Sequence, residues 1–306
     1  MRRGFAAVAW LVALLVFPTA ARAADGAAPS DDTSPTPKDP KKEVPPDAVP
    51  DSTRKAGFFD ALVDSSMKRS WREGDTRFFF ASTIDVGFLY VRPRASVGYG
   101  RPHDTWFGID ANPTIAGPGA GAYGGLRLAV PHFDIRVGGR YFAAFQHSFL
   151  QKRDKYTRLD LESTALPSAT TLTLETEANA DIPAGPGDIL LLASVSYLPN
   201  LPANQNVFEE SLRVIVDPPW VLRGRVGYGL RFGDHGQISV GLVGDFVHVP
   251  ERKTTLVRVG PIVRLALSRS FEVRGSFVPR VVSPDDLGLL DSDFTELGLR
   301  WRWGTD

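Results

Sequence analysis

From about residue 76 to its end, the chain alternates apolar residues with polar or small residues at a period of two. The closing stretch LGLRWRW is typical: Leu297, Leu299, Trp301 and Trp303 share one face of an extended strand, and Gly298, Arg300 and Arg302 share the other. Successive side chains of a β-strand point to opposite sides. This spacing therefore predicts a strand with one apolar face and one charged or small face.

The same pattern runs along two strands around the turn GDHG in residues 220–249. Trp220, Tyr228 and Phe232 lie on the apolar face of the first strand, whereas Arg223 and Arg225 lie on its polar face. Glycine and aspartate supply the positive φ angles that tight hairpin turns require. Further alternating segments occupy 78–85, 88–100, 105–116, 121–130, 133–145, 171–178, 187–198, 255–267 and 271–282.

The alternating segments are about ten to thirteen residues long, whereas strands of globular proteins average about five or six. Ten or so tilted residues are what a strand needs to cross a bilayer. Tight turns such as GDHG and SRS alternate with longer connections such as VSPDDLGLLDSD and the region 150–168. Short turns on one side and long loops on the other are typical of outer-membrane barrels.

The N-terminus has the features of a secretory signal peptide, residues 1–23. Arg2 and Arg3 precede the apolar run FAAVAWLVALLVF, and Ala21-x-Ala23 supplies a cleavage site. The run is too short for a spanning helix, and no later stretch has eighteen uninterrupted apolar residues. A mature protein that crosses a membrane would therefore do so as a closed barrel.

Two further segments precede the alternating region. Residues 24–55 are rich in Pro, Asp, Ser and Lys, which predicts a disordered linker because such a segment buries too little apolar surface to offset chain entropy. Residues 56–74 place apolar side chains at helical spacing. We expect a short amphipathic helix there that covers one end of the domain, lies on a membrane surface or partly plugs a pore.

From about residue 76 to 303 the chain resembles bacterial outer-membrane β-barrel proteins as a class. The resemblance depends on the signal peptide, the long alternating strands, the loop asymmetry and the final LGLRWRW. It implies an all-β, antiparallel up-and-down transmembrane barrel over 75–306, with about twelve strands and ten or fourteen as alternatives. In this class a terminal aromatic residue of the last strand is recognised by the barrel assembly machinery. Here Trp303 is followed by Gly304-Thr305-Asp306, which departs from that pattern.

On this reading the polar faces line a lumen rich in arginine. The predicted lumen-facing residues are Arg92, Arg94, Arg136, Arg140, Arg223, Arg225, Arg258, Arg264, Arg274 and Arg300, with Arg127, Arg231, Arg280 and Arg302 on the same faces. The predicted lipid-facing aromatic girdle comprises Trp220, Tyr228, Phe232, Trp301 and Trp303. Fewer acidic residues occupy matching positions, among them Asp134, Glu175, Glu177, Asp245 and Glu272.

Two functional hypotheses follow for the lumen. In a wide, wet barrel the arginines favour small anions, which predicts a narrow anion-preferring channel. In a narrow barrel they form ion pairs that fill the interior, which predicts a closed barrel with a structural or surface-interaction role. The expected partners are outer-membrane lipid, the assembly machinery and small anionic solutes. The expected location is the bacterial outer membrane.

Other functional classes have weaker support. His147 and Ser148 suggest a lipid-modifying enzyme, but neighbouring residues of a strand point to opposite faces, so we expect no catalytic site. With no cysteine and no histidine pair at ligand spacing, we expect no metal or cofactor. The 35 basic residues balance the 35 acidic ones, which gives no reason to expect nucleic acid as a partner. A soluble secreted all-β domain stays an alternative fold, in which the apolar faces would contact each other.

Overall fold

The computed structural model describes residues 75–88, 90–162, 168–199, 201–202, 204–233, 236–268, 270–294 and 297–305. The predicted signal peptide (1–23), linker (24–55) and amphipathic helix (56–74) lie outside these ranges. No helix in the described part of the chain is long and apolar enough to cross a membrane.

The described residues form mostly long strands. These are β1 (Arg77–Gly87), β2 (Tyr90–Gly100), β3 (Trp106–Ala116), β4 (Gly119–Val130), β5 (Phe133–Ser148), β6 (Leu150–Gln151), β7 (Ser168–Ala184), β8 (Gly187–Tyr197), β9 (Gln205–Glu209), β10 (Val214–Val216), β11 (Trp220–Phe232), β12 (Ile238–Val249), β13 (Thr254–Ala266), β14 (Phe271–Ser276), β15 (Arg280–Val282) and β16 (Gly298–Gly304). One short helix, α1 (Arg158–Leu161), and a 3-10 turn (Gly288–Asp291) lie in the connections.

The long strands close into one antiparallel barrel. Neighbours follow chain order from β1 to β16, the last strand pairs with the first, and β12 pairs with β13. β14 and β15 both pair with β13 and form two parts of one strand, so the barrel has twelve strands. The predicted up-and-down barrel with about twelve strands is therefore confirmed. Among the described residues, every strand of the barrel wall except the short β15 is paired on both sides.

The two ends of the barrel differ. The three long connections, 149–167, 198–219 and 283–297, all lie at one end, which we call the loop end. The other end, which we call the tight-turn end, has connections of two to five residues at 101–105, 131–132, 185–186, 233–237 and 267–270. At one of these turns Gly185 has a φ of +57°, a value that side-chain-bearing residues rarely adopt.

The barrel is apolar outside and polar inside. Large apolar side chains such as Phe107, Ile109, Leu242 and Val259 are exposed on the outward face, alternating with buried inward residues. The buried inward set is mostly polar or charged, and includes Thr83, Asp85, Ser96, Asp110, Asn112, Thr173, Glu175, Asp245, Arg258 and Glu272. This arrangement is the reverse of a soluble β-sandwich, whose apolar faces contact each other.

The long connections fold into a compact structure at the loop end, which we call the loop cap (149–162, 198–216 and 283–294). Its centre is the hairpin β9–β10. One set of hairpin side chains, including Val207, Val214 and Val216, packs against inward residues of β5, β7, β11, β12 and β13. Phe208 and Ile215 pack instead against Leu150, Tyr156, Leu161 and Leu287 of the other connections. The hairpin is thus held between the barrel wall and an outer layer of loops.

Three segments differ from their predicted form. The connection 198–219 was expected as a loop, but it contains β9 and β10, which a short apolar run inside a polar stretch does not reveal. β7 continues to Ala184, six residues beyond the predicted segment. The predicted strand 271–282 is interrupted between β14 and β15, where Phe277 and Pro279 occur. Proline lacks the N–H that a ladder needs, which accounts for the break.

Candidate functional site

The ten arginines predicted to face the lumen all lie at inward positions of the wall. They occupy β2 (Arg92, Arg94), β5 (Arg136, Arg140), β11 (Arg223, Arg225), β13 (Arg258, Arg264), β14 (Arg274) and β16 (Arg300). Each has a carboxylate within 4 Å. The lumen is therefore a network of ion pairs, and the question is whether carboxylates match arginines in every part of it.

On the β5 wall carboxylates outnumber the arginines they contact. Arg136 donates to Glu177 at 3.0 Å across the β5–β7 ladder. Arg140 contacts Glu175 of β7 and donates to Glu209 of β9 at 3.2 Å. The second bond ties the hairpin to the wall, and the Glu209 carboxylate also accepts the backbone N–H of Leu212 at 2.6 Å. With Glu209 of the hairpin, three carboxylates thus face the two arginines Arg136 and Arg140.

On the β11 and β12 walls a second carboxylate from a long connection pairs with inward arginines. Arg223 donates to Asp245 at 2.7 Å and to Asp293 at 2.8 Å, and Arg225 contacts the same two carboxylates. Asp245 belongs to β12, whereas Asp293 comes from the connection before β16. Because unpaired buried charge is costly, this shared pairing explains why two adjacent inward arginines are tolerated here.

Arg258 of β13 is the most enclosed arginine of the network, with 1% of its side chain exposed. It donates to the Asp245 carboxylate at 2.8 Å and to the backbone carbonyls of Leu212, Arg213 and Asp291 at 2.7, 2.8 and 2.5 Å. It was predicted to face anions in the lumen. The structure places it instead as an anchor that joins the wall to two segments of the loop cap.

Near the tight-turn end four arginines surround one carboxylate. Glu272 of β14 accepts from Arg264 at 3.0 Å and from Arg302 at 3.2 Å, contacts Arg274, and lies 3.8 Å from Arg300. Arg300 also bonds Asp85 of β1, which in turn accepts from Arg92 at 3.2 Å. Arginines outnumber carboxylates among the described residues of this region, in contrast to the β5 wall.

The wall formed by β2, β3 and β4 carries a smaller network around Asp110. This fully buried carboxylate accepts from Ser96 at 3.0 Å and from Arg127 at 3.2 Å, and lies 3.7 Å from Arg94. Arg127 also donates to Asp134 at 2.6 Å. The Nε atoms of Arg92 and Arg94 are buried and have no hydrogen-bond partner among the described residues. Donors therefore exceed acceptors on this side of the lumen too.

His147 contacts a loop residue rather than a nucleophile. Its Nδ1 bonds the carboxylate of Glu210, and its ring packs edge-on against Phe208 with centroids 5.3 Å apart. Both His147 and Ser148 are buried, because the β5 ladder is irregular between 143 and 148. We interpret the histidine–glutamate contact as a link between β5 and the hairpin. Among the described residues, no three His, Asp or Glu side chains converge as metal ligands would.

The five residues of the predicted girdle all lie on the outward face, but at two ends of the barrel. Trp301, Trp303, Tyr228 and Phe232 lie near the tight-turn end, where Phe78, Phe80, Tyr99 and Phe107 join them. Trp220 lies near the loop end and packs against Tyr197, with the two rings tilted and their centroids 4.6 Å apart. Outward aromatic residues thus occur at both ends, as two belts do in membrane barrels. Their contact with lipid stays a prediction.

Several carboxylates that complete the network escaped sequence reasoning. Asp85 and Asp110 lie at inward positions of β1 and β3. The period-two pattern, applied along the whole of these strands, would have assigned both residues to the inward face. Glu209, Asp291 and Asp293 come from loops, where no periodic pattern assigns a face. Burial raises the pKa of the Asp291 carboxyl above its usual range, although Arg280 opposes the shift. Loop acids can be placed in a lumen only by a tertiary structure.

The chain was compared with known proteins by sequence. No protein-family model matches it, and no curated protein matches it either.

Proposed function

We propose that this chain is an integral outer-membrane β-barrel protein. The observation that supports this best is the outward apolar face of a closed twelve-strand barrel. Soluble monomers rarely expose contiguous apolar patches above a few hundred Å², whereas a transmembrane barrel requires an apolar band around its outside. The signal peptide that the sequence predicts and the outward aromatic belts agree with this location.

Within the membrane we infer that the barrel is largely closed and that its function lies at the loop cap. The hairpin β9–β10 packs against inward residues of five strands, from β5 to β13. Carboxylates of the cap, Glu209 and Asp293, neutralise arginines of the lumen. A lumen that is bridged by hydrophobic packing and ion pairs on this side favours a structural or surface-interaction role over an open pore.

A narrow anion-preferring channel is the second candidate. It is favoured by the arginines near β1, β2 and β16, several of which are partly exposed and lie outside the hairpin contacts. An arginine surplus on a wet wall would set a positive potential and attract anions. We propose no enzymatic activity, since the contact of His147 with Glu210 is explained as a link to the hairpin.

The proposed partners are outer-membrane lipid on the outward face and the barrel assembly machinery through β16. Membrane fractionation tests the location. We expect the protein in the outer-membrane fraction, resistant to carbonate extraction and migrating faster in SDS gels before heating than after. Recovery as a soluble periplasmic protein would contradict the proposal.

Planar-bilayer conductance separates the two functional candidates. The refolded full-length chain should insert and give no resolved steps if the lumen is closed. Anion-selective steps that shrink in Arg302→Gln, but persist in Arg231→Gln, would favour the channel. Arg231 is a suitable control because it pairs with a single carboxylate, Asp188, at 2.6 Å near the same end of the barrel.

A further inference from the structure

We propose that the lumen near the tight-turn end binds a small phosphate-class anion carrying several negative charges. The site is formed by six inward residues, Arg92, Arg94, Arg264, Arg274, Arg300 and Arg302, which we call the arginine basin. This proposal rests on the proposed membrane barrel in one respect only: the location of the barrel decides from which compartment the anion comes. Because the basin lies inside the barrel, a dissolved anion rather than a lipid headgroup on the outward face is the ligand.

Positive charge is concentrated in the arginine basin. Among the described residues, Arg264, Arg274, Arg300 and Arg302 all lie within 4 Å of the Glu272 carboxylate. Arg92 joins this group through Asp85, so five arginines surround two carboxylates, Glu272 and Asp85, and positive charge exceeds negative charge among the described residues of the group. Like charges held this close repel each other strongly in a partly buried site. A bound polyanion would relieve that repulsion.

The basin also has a large capacity to donate hydrogen bonds. Each guanidinium carries five N–H donors, whereas a carboxylate offers about four lone-pair positions. Glu272 already accepts from Arg264, Arg274 and Arg302. The Asp85 carboxylate likewise accepts from both Arg92 and Arg300. Among the described residues, the arginines of this group therefore carry more N–H donors than the carboxylates Glu272 and Asp85 can accept.

Unpartnered donors support the same conclusion. The Nε atoms of Arg92 and Arg94 are buried without a hydrogen-bond partner among the described residues. Arg92 joins the Glu272 group through the contacts Arg92–Asp85–Arg300–Glu272, so its Nε belongs to that cluster. Arg94 lies on the same strand and contacts Asp110 at 3.7 Å. A phosphate group presents several oxygens in geometry that matches the planar arginine fork.

The basin is also accessible to solvent. The Arg264 side chain is 50% exposed, and it lies close to the turn 267–270 at the tight-turn end. Arg302 and Arg274 are about one-fifth exposed, and Arg302 adjoins the same turn, where its backbone N–H donates to the Ser270 carbonyl at 2.7 Å. By contrast, the enclosed Arg258 has four acceptors and no route for a ligand.

Calorimetric titration of the refolded full-length chain with sodium pyrophosphate, at constant ionic strength, tests the proposal. We expect saturable binding that weakens at least about tenfold in Arg264→Gln and in Arg302→Gln, since each removes charge-assisted hydrogen bonds. Arg231→Gln is the matched control and should bind as the wild type does. Glu272→Gln should tighten binding, because it removes the competing carboxylate.

Three results would overturn the site: no saturable binding, equal weakening in Arg231→Gln, or unchanged binding in both basin variants. Arg264→Gln is expected to fold because that side chain is half exposed. A purely structural role for the arginines predicts that Glu272→Gln lowers stability without improving affinity. Heat-modifiable migration and membrane fractionation report the proposed membrane barrel separately, so failure of the anion site and failure of that function are distinguishable.

Discussion

Replacing Arg258 with methionine is expected to loosen the loop cap and destabilise the barrel by about 4 kcal/mol. The arginine donates to one carboxylate and three backbone carbonyls. Removing one partner of a buried ion pair costs about 3–5 kcal/mol, and each buried carbonyl left unpaired costs about 1–3 kcal/mol. The total is smaller than the sum of these costs for two reasons. Asp245 keeps Arg223 and Arg225 as partners. In addition, the variant has no guanidinium at this position, so the cost of desolvating that group disappears.

The assay is urea unfolding in lipid vesicles, followed by tryptophan fluorescence, together with limited proteolysis of the connection 198–219. Arg258→Met should unfold at lower urea and expose this connection to protease. Arg258→Lys should fall between it and the wild type, because lysine keeps the charge but lacks the planar fork that reaches several acceptors.

The matched control is Arg231→Met, which removes a partly exposed arginine with one carboxylate partner. Its cost should be below about 1 kcal/mol. If Arg258→Met and Arg231→Met were equally stable, with equal protection of 198–219, the view of Arg258 as the anchor of the loop cap would be wrong.

Three further changes test other parts of the structure. Leu242 is 63% exposed on the outward face, so Leu242→Arg should cost about 2–4 kcal/mol in a bilayer and Leu242→Ala much less; equal stability of the two variants in vesicles would argue against a lipid-facing position. Burial lowers the pKa of His103 from 6.5 to about 4, so the unfolded chain binds a proton below pH 6.5 that the folded chain does not. Stability should fall from pH 6.5 toward 4 in urea titrations, and His103→Asn, which tolerates the local φ of +60°, should flatten that fall. Tyr156→Phe removes three hydroxyl hydrogen bonds inside the loop cap and should cost about 1–3 kcal/mol, whereas Tyr228→Phe, whose hydroxyl bond is exposed, should cost less in the same unfolding assay.

The alternating pattern was informative wherever one face of a strand meets a uniform environment. Along β11 it correctly separates inward Arg223 and Arg225 from outward Tyr228 and Phe232, because strand geometry assigns faces by parity. It also leads to the twelve-strand barrel, since the segments can be counted. It failed at β9 and β10, where both faces of a short hairpin are buried and no alternation remains.

Sequence by itself determined the strands, their faces and the arginine-rich interior, because these follow from a local period of two and from composition. The pairing of those arginines was decided only by tertiary structure. Glu209 and Asp293 lie in loops far along the chain from Arg140 and Arg225, and only folding of the cap brings them within reach. The same long-range closure gathers Arg264 and Arg302 around Glu272. Local periodicity fixes where a side chain points, whereas its partner depends on which distant segments share the lumen.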